Sequence, residues 1–212
     1  MDRATRLIAV RHGETAWNVE ARLQGQLDIP LNPRGEDQAR RAARVLADDR
    51  PHVVVSSDLA RAQATAHAIA SFNDCPLELD AGLRERSFGH FQGLTHQEVA
   101  DRWPDHSALW RSRDPDFAPG DGESLRVFFD RCVAATLRIA QAHAGRTVVL
   151  VAHGGVLDCL YRAASRIPLD APRNWTLDNA AINRLLHTDS GLTLVGWNDV
   201  GHLADPARDE IA

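Results

Sequence analysis

Apolar residues in this chain fall in short runs separated by polar stretches marked with glycine and proline. Leu7-Ile8-Ala9-Val10 is one such run, with two β-branched members, and it predicts a buried strand. His52–Ser56 predicts a second strand, Leu77–Leu79 a third, and Thr147–Ala152 a fourth. Two further strands are expected near 181–187 and 192–197, joined by the hairpin-like turn Thr188-Asp189-Ser190-Gly191. Helical periodicity fills the intervals. Asn32-Pro33 supplies a capping side chain and a proline at the first helical position. Ala39, Ala43 and Leu46 then give an inward stripe to about Asp48, with Arg40, Arg41 and Arg44 on a solvated face. Asp58 is expected to cap a helix running to about Ala70. Ser124 is expected to cap a long one with the stripe Leu125, Phe128, Phe129, Cys132, Thr136, Ile139 and Ala140. Another helix is expected from about Val156 to Ser165.

Strands alternating with helices predict an α/β fold. The expected form is a three-layer sandwich: a mainly parallel central sheet with one antiparallel edge strand, and helices on both faces. Residues 84–122 break the pattern. They hold Gly89, Gly93, Pro104, Pro115, Pro119, Gly120 and Gly122, with helical pieces near 95–103 and 105–112. Long irregular excursions in compact domains are usually functional, and this one is expected to cover a substrate. One domain is expected over 1–204, followed by a polar tail, 205–212, that frays.

Composition narrows the function. Of the 212 residues, 44% are hydrophobic and 25% charged, which calls for a packed core rather than disorder. A net charge of −5 argues against a nucleic-acid partner, which needs a basic face, but not against a small anion held by a local arginine cluster. Cys75, Cys132 and Cys159 are odd in number and widely spaced, as in reduced thiols of a cytoplasmic protein. The apolar run before Arg11 is too short for a signal-peptide core, and no run is long enough to span a bilayer, so no membrane partner is expected. Nothing separates an interface stripe from core, which leaves a homodimer open.

The chemistry lies where strands stop. Leu7–Val10 ends in Arg11-His12-Gly13, and Thr147–Ala152 ends in His153-Gly154-Gly155. Ligands of open α/β sheets bind at the carboxyl ends of strands, so two imidazoles and a cation are delivered to one edge. Arg61 falls in the first turn of its helix, where a cation opposes the helix dipole unless an anion is bound there. Glu85 opens the excursion between Arg84 and Arg86. Two arginines, two histidines and one carboxylate suit phosphoryl transfer through a covalent histidine intermediate. The arginines would neutralise the nonbridging oxygens, and the carboxyl would shuttle the proton.

The segment Arg11-His12-Gly13-Glu14-Thr15, with Trp17-Asn18 after it, resembles the signature of the histidine phosphatase superfamily, also called the phosphoglycerate mutase-like family. The resemblance continues through Ser56–Ala66, Leu83-Arg84-Glu85 with Phe88-Gly89, Gly122-Glu123-Ser124, Ala152–Gly155, Trp197-Asn198-Asp199 and His202-Leu203. It implies that His12 is the phosphorylated nucleophile and that Glu85 is the proton donor. Arg11, Arg61 and His153 would complete the phosphate pocket. Asn18 matches a phosphate-contacting asparagine, Gly154 a backbone approach to the ligand, and Gln24-Gly25 a substrate-contact position. The family needs no metal, and neither an HExxH nor a Walker motif occurs here; no cofactor is expected for this chain.

Within the family, the resemblance divides between a phosphatase, a phosphoglycerate mutase and a noncatalytic phosphate- or partner-binding module. Mutases usually carry an insertion between the positions of Glu85 and His153. They also show Gly-Asn-Ser where this chain has Gly154-Gly155-Val156, and Thr-Gly at Gln24-Gly25. These departures favour a metal-independent phosphomonoesterase for small phosphorylated metabolites. Asp158 is a further departure, standing where related phosphatases often have a basic residue. His90 and His96 border the excursion and could touch substrate. Trp103 and Trp110 could cap an apolar leaving group or simply pack the excursion down. Arg84, Arg86, Arg111 and Arg113 are candidates for a second anion or for plain solvation.

Overall fold

The computed structural model describes residues 4–204; the tail expected over 205–212 lies outside the described residues. The chain opens with β1 (Thr5–Arg11) and a short helix α1 (Ala16–Val19), then α2 (Pro33–Val45), β2 (Val53–Ser56), α3 (Ala60–Asn73) and β3 (Leu77–Leu79). The excursion holds α4 (His96–Arg102) and α5 (Pro104–Arg111). It is followed by α6 (Leu125–Ala142), β4 (Thr147–Ala152), α7 (Gly154–Ser165), β5 (Ile182–Thr188) and β6 (Gly191–Asp199).

The six strands lie in the order β3-β2-β4-β1-β5-β6. β3, β2, β4 and β1 run parallel, and β5 reverses against β1. The closing β5–β6 hairpin therefore makes the antiparallel edge of an otherwise parallel sheet. Alternation along each strand sorts its side chains to opposite faces. Leu7, Ala9, Val53, Val55, Val148 and Leu150 pack with α6 and α7. Ile8, Val10, Val54, Val149 and Val151 pack with α2 and α3. The result is a three-layer sandwich with the core on both faces of the sheet.

Helix starts follow local chemistry at two of the three expected places. Asn32 accepts the Gly35 amide at 2.8 Å with Pro33 in the first turn, and Ser124 accepts the Val127 amide at 3.2 Å. Asp58 is the exception. It does not cap α3; the residue before that helix is Leu59, which makes no side-chain cap bond. The cap comes instead from Asp28, distant in sequence, whose Oδ1 accepts the Ala60 amide at 2.6 Å. Asp58 is drawn off by a two-pronged pair with Arg84, at 2.6 Å on both oxygens. The Arg84 guanidinium beside it holds the Asp58 carboxyl below the usual carboxylate range. Among the described residues, no helix is long and apolar enough to cross a membrane.

Candidate active site

The register of the sheet places the two histidines side by side. Arg11 pairs with Ala152 across β1 and β4, and the His12 amide donates to the Ala152 carbonyl at 2.9 Å. His12 and His153 therefore leave neighbouring strands together, with ring centroids 5.1 Å apart. The next strand, β2, ends at Ser56, and the Ser57 amide donates to the Val151 carbonyl, which leads α3 and Arg61 toward the same edge. β4 sits between β2 and β1, so the chain diverges to either side of the cavity, as at the ligand-binding crevice of open α/β sheets.

Gly13 is needed here for close packing rather than for an unusual turn. A Cβ at position 13 would lie 2.3 Å from the Gly35 carbonyl oxygen, because the start of α2 presses against the signature loop. α1, which the apolar pattern did not show, is held by a capping box. Thr15 accepts the Asn18 amide at 3.2 Å, and the Asn18 side-chain oxygen accepts the Thr15 amide at 3.0 Å. That oxygen also accepts the Asn179 amide at 3.3 Å, so Asn18 keeps its side-chain nitrogen for the cavity it lines.

His12 is 3% exposed. Its Nδ1 lies 2.7 Å from the Gly13 carbonyl oxygen. A carbonyl can only accept, so Nδ1 carries the proton and Nε2 keeps its lone pair. Burial first, then the charges of Arg61 and Arg11, push the His12 pKa well below its ordinary value. The imidazole is therefore neutral at physiological pH, the form that can act as a nucleophile. His153 is depressed well below its ordinary value as well, by burial first and then by Arg61, His12 and Arg11. Its Nε2 lies 2.9 Å from Ser57 Oγ, which itself accepts the Leu59 amide at 3.3 Å. Among the described residues the Ser57 hydroxyl has no other acceptor, so its proton goes to Nε2 and the His153 proton sits on Nδ1, which is buried and without a partner.

The two arginines are anchored from one side only. Arg61 donates to the carbonyls of Leu27 at 2.8 Å and Gly25 at 2.7 Å, and Arg11 donates to the Leu177 carbonyl. The Nε of each is buried without a hydrogen-bond partner. Burial lowers Arg61 to about 10, with Glu85 pulling the other way, so it remains charged at neutral pH. Buried donors are rarely left unmet, and three of them (Arg11 Nε, Arg61 Nε and His153 Nδ1) belong to one cluster. Such a cluster is made for an oxyanion.

Glu85 closes the cluster. Its Oε1 accepts the Arg86 amide at 2.8 Å, and its Oε2 accepts the Gly155 amide at 2.9 Å in the first turn of α7. A cavity of about 520 Å³ is lined by Arg11, His12, Asn18, Gln24, Gly25, Arg61, Glu85 and Gly154, so the residues singled out from sequence meet there, with His153 against His12. α7 begins at Gly154, two residues ahead of the expected Val156, which puts the helix start itself at the cavity. His96 also lines it, whereas His90 is turned into an aromatic cluster with Phe91 and Trp103.

Further residues support the site, of which Ser57 and Thr65 lie within the Ser56–Ala66 stretch of the resemblance and Asn179 lies outside every quoted segment. Asn179 donates to the His12 carbonyl at 3.0 Å, Thr65 Oγ1 accepts the Gly13 amide at 3.0 Å, and Ser57 orients His153. Arg173 and Trp175 reach the cavity from the loop between α7 and β5. Asn179 and the 173–175 segment belong to no periodic stretch, and only the fold brings them in.

An oxyanion cage around a neutral, buried histidine defines a phosphoryl-transfer class of site. Comparison with known proteins narrows the class. The description "Histidine phosphatase superfamily (branch 1)" matches residues 7–200. Phosphoglycerate mutase-like protein 4 of Arabidopsis thaliana is 40% identical over 94% of this chain and 87% of its own length. A metal-independent phosphoserine phosphatase, also of Arabidopsis thaliana, is 39% identical over 94% of this chain and 84% of its own length. The solved structure of Bacillus stearothermophilus YhfR superposes with a TM-score of 0.88 at 30% identity, covering 94% of this chain and all of that one. The chain belongs to the histidine phosphatase superfamily.

Proposed function

We propose that this protein is a metal-independent phosphomonoesterase that hydrolyses small phosphorylated metabolites through a phosphohistidine on His12. The observation that carries the proposal is the pairing of a neutral imidazole, its Nε2 lone pair kept free by the Gly13 carbonyl, with three unmet donors around it. Nε2 attacks phosphorus while the bond to the leaving oxygen breaks. Glu85, as the carboxylic acid, protonates that oxygen. Arg11, Arg61 and His153 hold the three equatorial oxygens, where charge gathers in the transition state. Water then attacks phosphorus, Glu85 takes its proton, and the N–P bond breaks to return the free histidine. Asn18 and the Gly154 amide support the phosphate, and Gln24-Gly25 borders the substrate.

The site supports hydrolysis over mutase chemistry at one position. Gly155, where mutases usually have asparagine, lets Glu85 lie directly against the first turn of α7. The metal-independent phosphoserine phosphatase supports the same reading by its name, and the free cysteines agree with a cytoplasmic setting. The reading is tested by incubating the pure protein with p-nitrophenyl phosphate in EDTA, with phosphate release as the expected result. Silence there, joined to isomerisation of phosphoglycerate after bisphosphoglycerate priming, would replace the phosphatase by a mutase. Silence in both assays would leave a binding module.

A further inference from the structure

Beyond the phosphate cage the site opens into a second chamber of about 630 Å³. The two spaces share Leu23, Glu85, Phe88, His96, Gly155 and Arg173 as common wall, so the chamber lies on the leaving-group side of Glu85. Its volume falls in the range of pockets for drug-sized ligands, far beyond the needs of a three-carbon acid. Phe88, Trp110, Phe117 and Phe128 give it one aromatic side, and charged residues, Arg86 and Arg173 among them, line the rest.

The four arginines that sequence alone could not assign are separated by their partners. Arg84 is spent on Asp58, away from the chamber. Arg113 lines the chamber but donates to Asp158 at 2.9 Å, and Arg162 meets the same Asp158 oxygen at 2.9 Å, so this acidic departure is answered twice over. Arg111 is exposed and bonds Ser107 at 2.9 Å. Arg86 differs from all of these. It is 7% exposed, and its Nε and Nη2 donate only to neutral carbonyls, those of Glu123 and Phe117, at 2.8 Å each. Its guanidinium lies over the Trp110 ring at 4.7 Å. Among the described residues no carboxylate pairs with it, and Nη1 makes no hydrogen bond. The two carboxylates whose charge reaches it are engaged elsewhere: Glu123 by Arg131 at 2.7 Å, and Glu85 by the backbone amides of Arg86 and Gly155. Burial lowers Arg86 to about 10, which leaves it charged at neutral pH. A buried cation held rigidly by two carbonyls, with one nitrogen uncommitted, is an anion anchor set in an aromatic wall.

We infer that the chamber receives a leaving group with an apolar, ring-sized body bearing an anionic group, and that Arg86 binds that group. The inference rests on the phosphatase reading of the adjoining cage. The test compares kcat/KM for 3- and 4-carboxyphenyl phosphate with the matching carboxamidophenyl phosphates, which have nearly the same shape and carry a neutral amide in place of the carboxylate. Charge-assisted hydrogen bonds of this kind correspond to roughly 10- to 100-fold, and at least about tenfold preference for one of the acids is expected. Arg86→Gln should bring the ratio near one, and Arg86→Lys should restore part of it. A ratio of one in the wild-type protein, or a preference undiminished in Arg86→Gln, overturns the inference. If Arg86→Gln fails to fold, Arg86→Lys decides: a reduced preference supports the inference, and an undiminished one assigns the anion to another arginine of the chamber and overturns it. If no phosphate is released from any ester, the phosphatase reading has failed instead. Calorimetry with benzoate against benzamide then tests the chamber by itself, and equal binding of the two overturns it.

Discussion

Gly155→Ala probes the proton donor without touching the nucleophile. A Cβ built at position 155 lies 2.2 Å from Glu85 Oε1 and 3.0 Å from two ring atoms of Phe128. Phe128 is buried in the core and has little room to retreat. The Glu85 carboxyl is the end of a flexible side chain and gives way first. Stability should therefore change by no more than about 1–3 kcal/mol, the usual cost of a modest overpacking. Catalysis should change in a selective way. A positioned general acid contributes about 10²- to 10⁴-fold, and a displaced one keeps part of that. We expect kcat for an alkyl phosphate to fall about 10- to 100-fold. The fall for p-nitrophenyl phosphate should stay within about threefold, because nitrophenolate leaves without a proton. Stopped assays of phosphate release on both esters, under the same conditions, give the ratio. Equal losses on the two substrates, or wild-type rates on both, would refute the placement of Glu85 against α7 as the source of its acid role.

The fold makes two further predictions about stability. Asp28→Ala removes the side chain that caps α3, and urea unfolding should show a loss of about 0.5–2 kcal/mol. Asp58→Ala removes a partly exposed pair and should cost less than about 1 kcal/mol; a larger loss than for Asp28→Ala would restore Asp58 as the effective cap. Stability should also fall on acidification. His12 and His153 both have folded pKa values depressed below the ordinary histidine value. Below about pH 6.5 the unfolded chain therefore binds protons that the folded protein refuses, and folding weakens as pH drops. Each histidine adds a slope of up to about 1.4 kcal/mol per pH unit there. Urea midpoints measured from pH 7.5 to 5.5 should show this slope, reduced in His153→Gln; a flat profile would contradict the buried, neutral state of both rings.

Much of this site could be read from the chain because its parts sit at the ends of periodic segments. The apolar runs before Arg11 and His153 fix both strands, and parallel pairing of those strands forces the two imidazoles together. Arg61 does lie in the first turn of its helix, although Asp28 and not the expected Asp58 caps that helix. Asp58 has the right residue type at the right distance, but Arg84 offers it a charged partner, and Asp28 arrives at Ala60 through tertiary structure alone. The need for glycine at position 13 comes from the pressure of Gly35, a contact that only the tertiary structure makes. The sequence offers Arg86 only as one of four arginines that could meet a second anion, and nothing in the chain separates it from the other three. Its role depends on which neighbouring carboxylates are already taken, and that is settled only when Glu123 meets Arg131.

The central claim is a covalent bond between phosphorus and one nitrogen. Rapid acid-free quenching during turnover of a labelled phosphomonoester, followed by peptide mass spectrometry, reads it directly. The expected result is an acid-labile, alkali-stable phosphoryl group on His12 in the wild-type protein and none in His12→Ala. Turnover with the label on another residue, or an undiminished adduct in His12→Ala, would contradict it.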